Sequence, residues 1–535
     1  MKQAQDPRRD HDRAPYAEAL QRHADQDPLM FMVPGHAATA AGMSGDLAEF
    51  AGELALRHDI PQLVDGIDSG ENSPLAQALD LAADAWGARR AWFLANGSSQ
   101  GNRMAVIGVG AAGAGGSADA PAPSIERGPD VVVAQRSAHS SFLDGLVVTG
   151  LAPEWVFPEF DATHGINHGL TPALLEEAFG RAAERGDRPQ AAYVISPSYF
   201  GAVSDIAGLA AVAHANGVPL IVDAAWGAHF GFHPELPDFP TTLGADIAVT
   251  STHKMGGSLG QSAMLLLADG QFADALEPAL ERAFTLTQTT SASSLLLGSL
   301  DIARRSLVRE TRRIGESVAL AERLRSLLRA DERFTLVSDE FGEYPSVLRA
   351  DPLRVSIGLS RSGVSGYEMR AALARDHGIL LEIATSAAVV AFFGPGKELD
   401  VDRLFRAMVA VLDRAVAEAG EGRDAATPDG VPPAVPALPA PGTRVMTPRA
   451  AYFAGTEVVD WSAAVGRVSA DALAAYPPGV PNIVPGERIT REALEFLRAV
   501  AASPIGYVRG AVDSNVDAVR VVLEPGSPGV TLRTQ

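Results

Sequence analysis

From Ser73 onward two kinds of apolar pattern alternate along the chain. "SPLAQALDLAADAWG" (73–87) repeats apolar residues at helical spacing behind a serine and a proline, which predicts a capped helix. "RAWFL" (90–94), "DVVVAQ" (130–135), "AAYVIS" (191–196), "VPLIVD" (218–223) and "ADIAVT" (245–250) are short, nearly continuous apolar runs. Strands buried on both faces have that form. Helical patterns separate them, among them "TPALLEEAFGRAAERG" (171–186) and "IAGLAAVAHANG" (206–217). The alternation predicts an α/β domain, a mainly parallel sheet with helices on its faces.

Further on, residues 294–330 read as long helices. "RVSIGLS", "GILLEIAT" and "AVVAFFG" then predict a smaller sheet with a helix between its strands. Two stretches break the pattern. The Gly/Ala/Pro-rich segment 110–128 reads as an inserted loop, and the Pro-rich segment 427–443 as an extended linker to a C-terminal unit.

Bulk properties narrow the function. A formal charge of −21 repels phosphate backbones and disfavours nucleic acid as a partner. No apolar run approaches a membrane span, and the polar N-terminus lacks a secretory core. The chain has no cysteine, so disulfides and thiolate zinc sites are excluded; a cytoplasmic location is expected. No metal ligand set is expected.

Polar residues gather where the apolar runs end. "NGSSQGN" follows one strand and puts Ser98, Ser99 and Gln100 at a helix N-terminus, where backbone N–H groups attract anions. Asp223 ends a second strand, where a carboxylate needs a partner. "VTSTHKMGG" (249–257) ends the next, placing Lys254 beside His253 among hydroxyls and glycines. Walker A spacing is absent there. An anion cradle, an acid and a lysine at one sheet edge are the three groups that pyridoxal 5'-phosphate requires.

The ordered set of motifs resembles the Orn/Lys/Arg decarboxylase family, pyridoxal-phosphate enzymes of fold type I. "STHKMGGSLGQSAML" is similar to its lysine motif. "ANGSSQGN", "RSAHSSFLDGLVVTG", "PEFDATHGINHGLTP", "SPSYFGAVSDI", "DAAWGAHFGFHPELP", "SGYEMRAAL" and "VGRVSADALAAYPPGVPNIVPGE" follow in family order. The resemblance covers nearly the whole chain. It implies an N-terminal dimerisation arm (1–60), a fold type I cofactor-binding large domain (61–300) and a small α/β domain (301–426). Beyond the linker (427–443) it implies a C-terminal α+β decarboxylase domain (444–535). The receiver-like N-terminal domain of the larger inducible enzymes is not matched, so the chain resembles the shorter biosynthetic type.

The roles that the resemblance implies are specific. Lys254 would hold the cofactor as an aldimine, Asp223 would pair with its ring nitrogen, and His139 would stack on its ring. Ser98, Ser99, Gln100, Ser251 and His253 would hold or border the phosphate, and Trp226 would pack beside the ring. Thr290, with Thr289 and Ser291, would reach the phosphate region of a second subunit, so a homodimer or higher homo-oligomer with shared active sites is expected. Lys254 or His253 would return a proton to Cα. Glu487, then Glu382, would meet the substrate's distal cation; Asp68 and Glu71 are weaker candidates. The implied reaction is decarboxylation of lysine, arginine or ornithine to an amine for polyamine biosynthesis. The alternative is another reaction at the same α-carbon, an aminotransferase or oxidative deaminase, for which Arg354 or Arg361 would take the carboxylate. Ala37 stands where the family usually has lysine, and Ser294 where it usually has tyrosine. Both changes bear on substrate choice.

Overall fold

A computed structural model describes residues 10–62, 64–115, 128–420, 439–476, 480–502 and 506–524. The chain divides into two compact units. The first comprises Met1–Gly116, Ala213–Val318 and Gly394–Lys397. Its strands lie in the order Arg90–Leu94, Ala263–Leu267, Ile247–Thr250, Leu220–Asp223. Leu220–Asp223 runs parallel to Ile247–Thr250, with Asp223 opposite Val249. Ala263–Leu267 is antiparallel to both neighbours, because the chain turns back at Thr250 without a crossover. Strands Arg90–Leu94, Ile247–Thr250 and Leu220–Asp223 therefore all end at one edge. Ile221, Val222, Ile247, Ala248, Val249, Leu265 and Leu266 are fully buried, which explains runs that are continuous instead of alternating.

The helix predicted behind Ser73 spans Pro74–Ala85, and Ser73 Oγ accepts the Ala76 N–H at 3.2 Å. Helix Gly97–Gly115 lies directly on the sheet: a Cβ on Gly101 would stand 2.6 Å from Val249 Cγ1. This helix overturns the start of the loop expected over 110–128. Residues 110–115 continue it, as alanines favour; residues 116–127 lie outside the described residues. Helix Pro15–Asp25 is anchored by a buried pair on Ser294–Arg309. Asp301 accepts the Tyr16 N–H at 2.9 Å and meets Arg304 at 2.8 Å. Neither charge is left uncompensated in the interior.

The second unit comprises Ser117–Val212, Ala319–Phe393 and Glu398–Gln535. Arg188–Ile195, Asp130–Gln135 and Ala152–Val156 pair in parallel in that order. The smaller sheet is antiparallel, in the order Thr335–Leu336, Arg354–Gly358, Ala388–Phe392, Ile383–Ala384. Helix Gly366–His377 starts on a reciprocal capping box between Ser365 and Glu368. The strand expected over "GILLEIAT" shrinks to Ile383–Ala384, and Leu380 is 85% exposed, so the front of that run is outside the core. The C-terminal segment builds its own core from Leu473, Ile483, Leu494, Leu497, Val519 and Val521, beneath helix Arg491–Ala501. Of the Pro-rich linker, residues 427–438 lie outside the described residues.

Candidate active site

Three strand ends meet in the first unit. Ser251, just past Ile247–Thr250, donates from Oγ to Ser98 Oγ at 2.6 Å, and Ser98 stands in the first turn of Gly97–Gly115. The backbone N–H of Ser251 donates to Ala225 O at 3.3 Å, tying the same turn to the segment after Asp223. Hydroxyls thus collect at the N-terminus of a long helix, whose unpaired N–H groups favour an anion. Ser99 follows Ser98 in that first turn. Gln100 is fully buried and used internally. Its Oε1 accepts the Asn96 N–H at 3.3 Å and its Nε2 donates to Thr287 Oγ1 at 3.4 Å.

Asp223 is almost wholly buried. Asn102 Nδ2 donates to its Oδ2 at 2.9 Å, and the Ala225 N–H to its Oδ1 at 3.1 Å. The two hydrogen bonds fix the plane of the carboxylate. Lys254 belongs to the single helical turn Thr252–Met255, and its Nζ lies 4.0 Å from the centre of the Trp226 ring. Trp226 is itself three residues beyond Asp223. His253 Nδ1 meets the Ser262 carbonyl at 2.8 Å, so the proton sits on Nδ1. Burial pushes the His253 imidazole below its ordinary range; the Ser262 hydrogen bond opposes this and the Lys254 charge adds to it. The turn 289–291 that carries Thr290 is exposed.

Other expected residues lie in the second unit. His139 caps helix Ser140–Thr149, its Nδ1 accepting the Ser141 N–H at 3.3 Å. Glu487 is buried and already holds a cation: Arg136 Nη1 and Nη2 meet its two oxygens at 2.6 and 2.9 Å. Trp155 Nε1 and the Val484 N–H complete its shell, at 3.1 and 3.3 Å. Glu382 is exposed. Arg354 is fully buried, donates from Nη1 to Ser198 O, and burial lowers its guanidinium to about 10. Arg361 is exposed.

A family model described as Orn/Lys/Arg decarboxylase, major domain, matches residues 14–342, and its C-terminal domain matches 432–504. The chain belongs to the Orn/Lys/Arg decarboxylase family. It is 32% identical to the arginine decarboxylase of Bacillus subtilis (strain 168), over 95% of this chain and 98% of that one. To the arginine decarboxylase of Halalkalibacterium halodurans it is 30% identical, over 96% and 98%. Among solved structures, the constitutive lysine decarboxylase of E. coli superposes with a TM-score of 0.73 at 22% identity, covering 96% of this chain and 82% of that one. Lysine decarboxylase A from Pseudomonas aeruginosa gives 0.75 at 21% identity, covering 95% and 80%. The fold of this family member is therefore fold type I, and its class is that of an amino-acid decarboxylase, a lyase.

Two departures from the family pattern have structural consequences. Ser294 is buried in this decarboxylase. Its Oγ donates to His58 O at 2.7 Å and accepts the Ile60 N–H at 3.0 Å, so it pins the 58–60 segment to helix Ser294–Arg309. Ala37 sits at φ +48°, a left-handed conformation uncommon for a residue with a Cβ. Asn102 was the residue that pattern reading missed. No local pattern marks it, because its partner Asp223 lies 121 residues away in the chain.

Proposed function

We propose that this chain decarboxylates a basic amino acid with pyridoxal 5'-phosphate, and that arginine is the first substrate to test. The juxtaposition of Ser98, Ser251, Lys254, Trp226 and the Asn102-oriented Asp223 carries the reading. The donor set fits the cofactor: a hydroxyl-lined helix N-terminus for the phosphate, a buried carboxyl group for the pyridinium, and an amine for the aldehyde. The arginine decarboxylases among its relatives support the substrate.

When bound, the cofactor supplies an electron sink for the pair left by a departing α-carboxylate. Ser98, Ser99, Ser251 and His253 would hold its phosphate. Asp223 would pair with the ring nitrogen, and Asn102 would keep Asp223 aimed at it. Trp226 would flank the ring, and Lys254 would hold the cofactor through Nζ. Lys254 Nζ, once free, is the group that returns a proton to Cα; His253 is the second candidate, through Nε2. His139 as the ring-stacking residue rests on the resemblance alone, and so does Thr290 as a phosphate contact between subunits. For the substrate's distal cation the resemblance implies Glu487 and then Glu382, and Glu487 already holds Arg136.

Arg361, which is exposed, is the arginine left to the transaminase alternative, whereas Arg354 does not serve it. A transaminase needs a guanidinium for the α-carboxylate, and that of Arg354 is turned inward onto Ser198. A homodimer is the proposed assembly. Leu29, Phe31, Met43 and Phe50 are each at least 85% exposed within the arm, an apolar surface that a second copy would cover.

The reading is tested by incubating the purified protein and cofactor with arginine, lysine and ornithine. The expected outcome is amine and carbon dioxide in equal amounts from at least one of them. A keto acid without carbon dioxide would overturn it.

A further inference from the structure

The segment "DATHGINH" (161–168) takes no part in the proposed reaction, yet it buries three titratable side chains together. Asp161 and His164 are fully buried and His168 is 1% exposed. They sit on the hairpin Phe160–Asp161/Ile166–Asn167 and the residue that follows it. Glu340 approaches from between two short 3₁₀ turns, Val337–Asp339 and Phe341–Glu343. All four belong to the second unit.

Donor atoms of Asp161, His164 and Glu340 all lie within 4.8 Å of one another, and His168 stands beside them. His164 Nδ1 lies 2.7 Å from Asp161 Oδ2 and 3.7 Å from Glu340 Oε2, and His168 Nε2 lies 3.9 Å from Asp161 Oδ2. A tetrahedron built on bonds of about 2.0–2.1 Å has edges of roughly 3.3 Å, inside this spread. Asp161 is oriented for the role. Its Oδ1 accepts the Thr163 and His164 N–H groups at 2.8 and 3.0 Å, which leaves Oδ2 facing the imidazoles.

The second observation is His168. Neither of its ring nitrogens has a hydrogen-bond partner, although the ring is buried against Tyr344 and Phe341. A buried imidazole without partners is costly, and such groups call for an explanation. One of its nitrogens points to the cluster. Two imidazoles and two carboxylates, with no thiolate anywhere in the chain, form a donor set that suits a divalent first-row metal.

We propose that Asp161, His164, His168 and Glu340 form a structural zinc(II) site, separate from the decarboxylation machinery. The two carboxylates neutralise the ion. Binding at His164 Nδ1 moves that ring's proton to Nε2, replaces the hydrogen bond to Asp161 Oδ2 and ties the 160–168 hairpin to the 337–343 segment. The proposal departs from the expectation of no metal ligand set; the absence of cysteine bears only on thiolate zinc sites.

The experiment uses the full chain without a polyhistidine tag, dialysed against chelator and then titrated with zinc chloride. Bound zinc is measured by plasma mass spectrometry and stability by thermal unfolding. About one zinc per chain is expected, with a rise in Tm. Glu340→Gln, on a partly exposed side chain whose loss the fold should tolerate, should weaken binding at least about 10-fold and remove the Tm rise. His168→Gln should do the same. No bound zinc in the wild type, or equal zinc in Glu340→Gln, would overturn the proposal; the second result would mark surface binding only.

Discussion

Asn102 holds Asp223: its Nδ2 donates to the carboxylate Oδ2 at 2.9 Å, from one turn along the helix that carries Ser98. The helix that offers its N-terminus to an anion therefore also orients the acid at the neighbouring strand end. Hydrogen bonds to charged groups contribute about 1.5–3 kcal/mol. Asn102→Ala should accordingly weaken cofactor retention by at least about 10-fold, and Asp223→Ala by more. Cofactor dissociation followed by absorbance checks this; an unchanged rate in Asn102→Ala would count against the proposed role.

Arg136 and Glu487 form a second relationship, buried and two-pronged, across 351 residues of sequence. Removing one partner of such a pair costs about 3–5 kcal/mol, whereas replacing both by apolar residues is often tolerated. Glu487→Ala should lower Tm sharply, and Arg136→Met/Glu487→Met should recover most of the loss. Chemical denaturation measures both. If Glu487→Gln instead kept its stability and raised KM for arginine alone, Glu487 would be the substrate acceptor and the structural reading would fall.

His253 makes stability depend on pH. Its folded value is held below the ordinary 6.5, chiefly by burial. As the pH falls below 6.5 the unfolded chain takes up the proton first, so this contribution is complete above 6.5 and is lost on acidification. Tm should therefore fall less steeply between pH 7 and 5.5 in His253→Gln than in the wild type. Parallel slopes would remove His253 from the account.

Much of this was legible in the sequence, and the reasons are physical. Runs such as "PLIVD" and "DIAVT" are strands buried on both faces, and no surface helix has that pattern. Ser73 and Thr171 announced their helices through the caps they make. Strand Ala263–Leu267 was not among the expected strands, nor was its antiparallel direction, since an apolar run carries no sign of whether its connection returns or crosses over. The Ala-rich end of Gly97–Gly115 looked like loop because glycine punctuates it, while packing on the sheet and alanine propensity keep it helical. Asn102 and Arg136 were invisible for a different reason. Each acquires its meaning only from a carboxylate far away in the chain, and no local pattern records such a partner.

The most direct test concerns Lys254. The chain has three lysines, Lys2, Lys254 and Lys397, so a covalent label can be assigned without ambiguity. The protein is loaded with pyridoxal 5'-phosphate, reduced with borohydride, digested and mapped by mass spectrometry. The account requires the label on the peptide containing Lys254, and its loss together with carbon dioxide release in Lys254→Ala. A label on Lys2 or Lys397 instead, or a Lys254→Ala protein that still releases carbon dioxide at the wild-type rate, would contradict it.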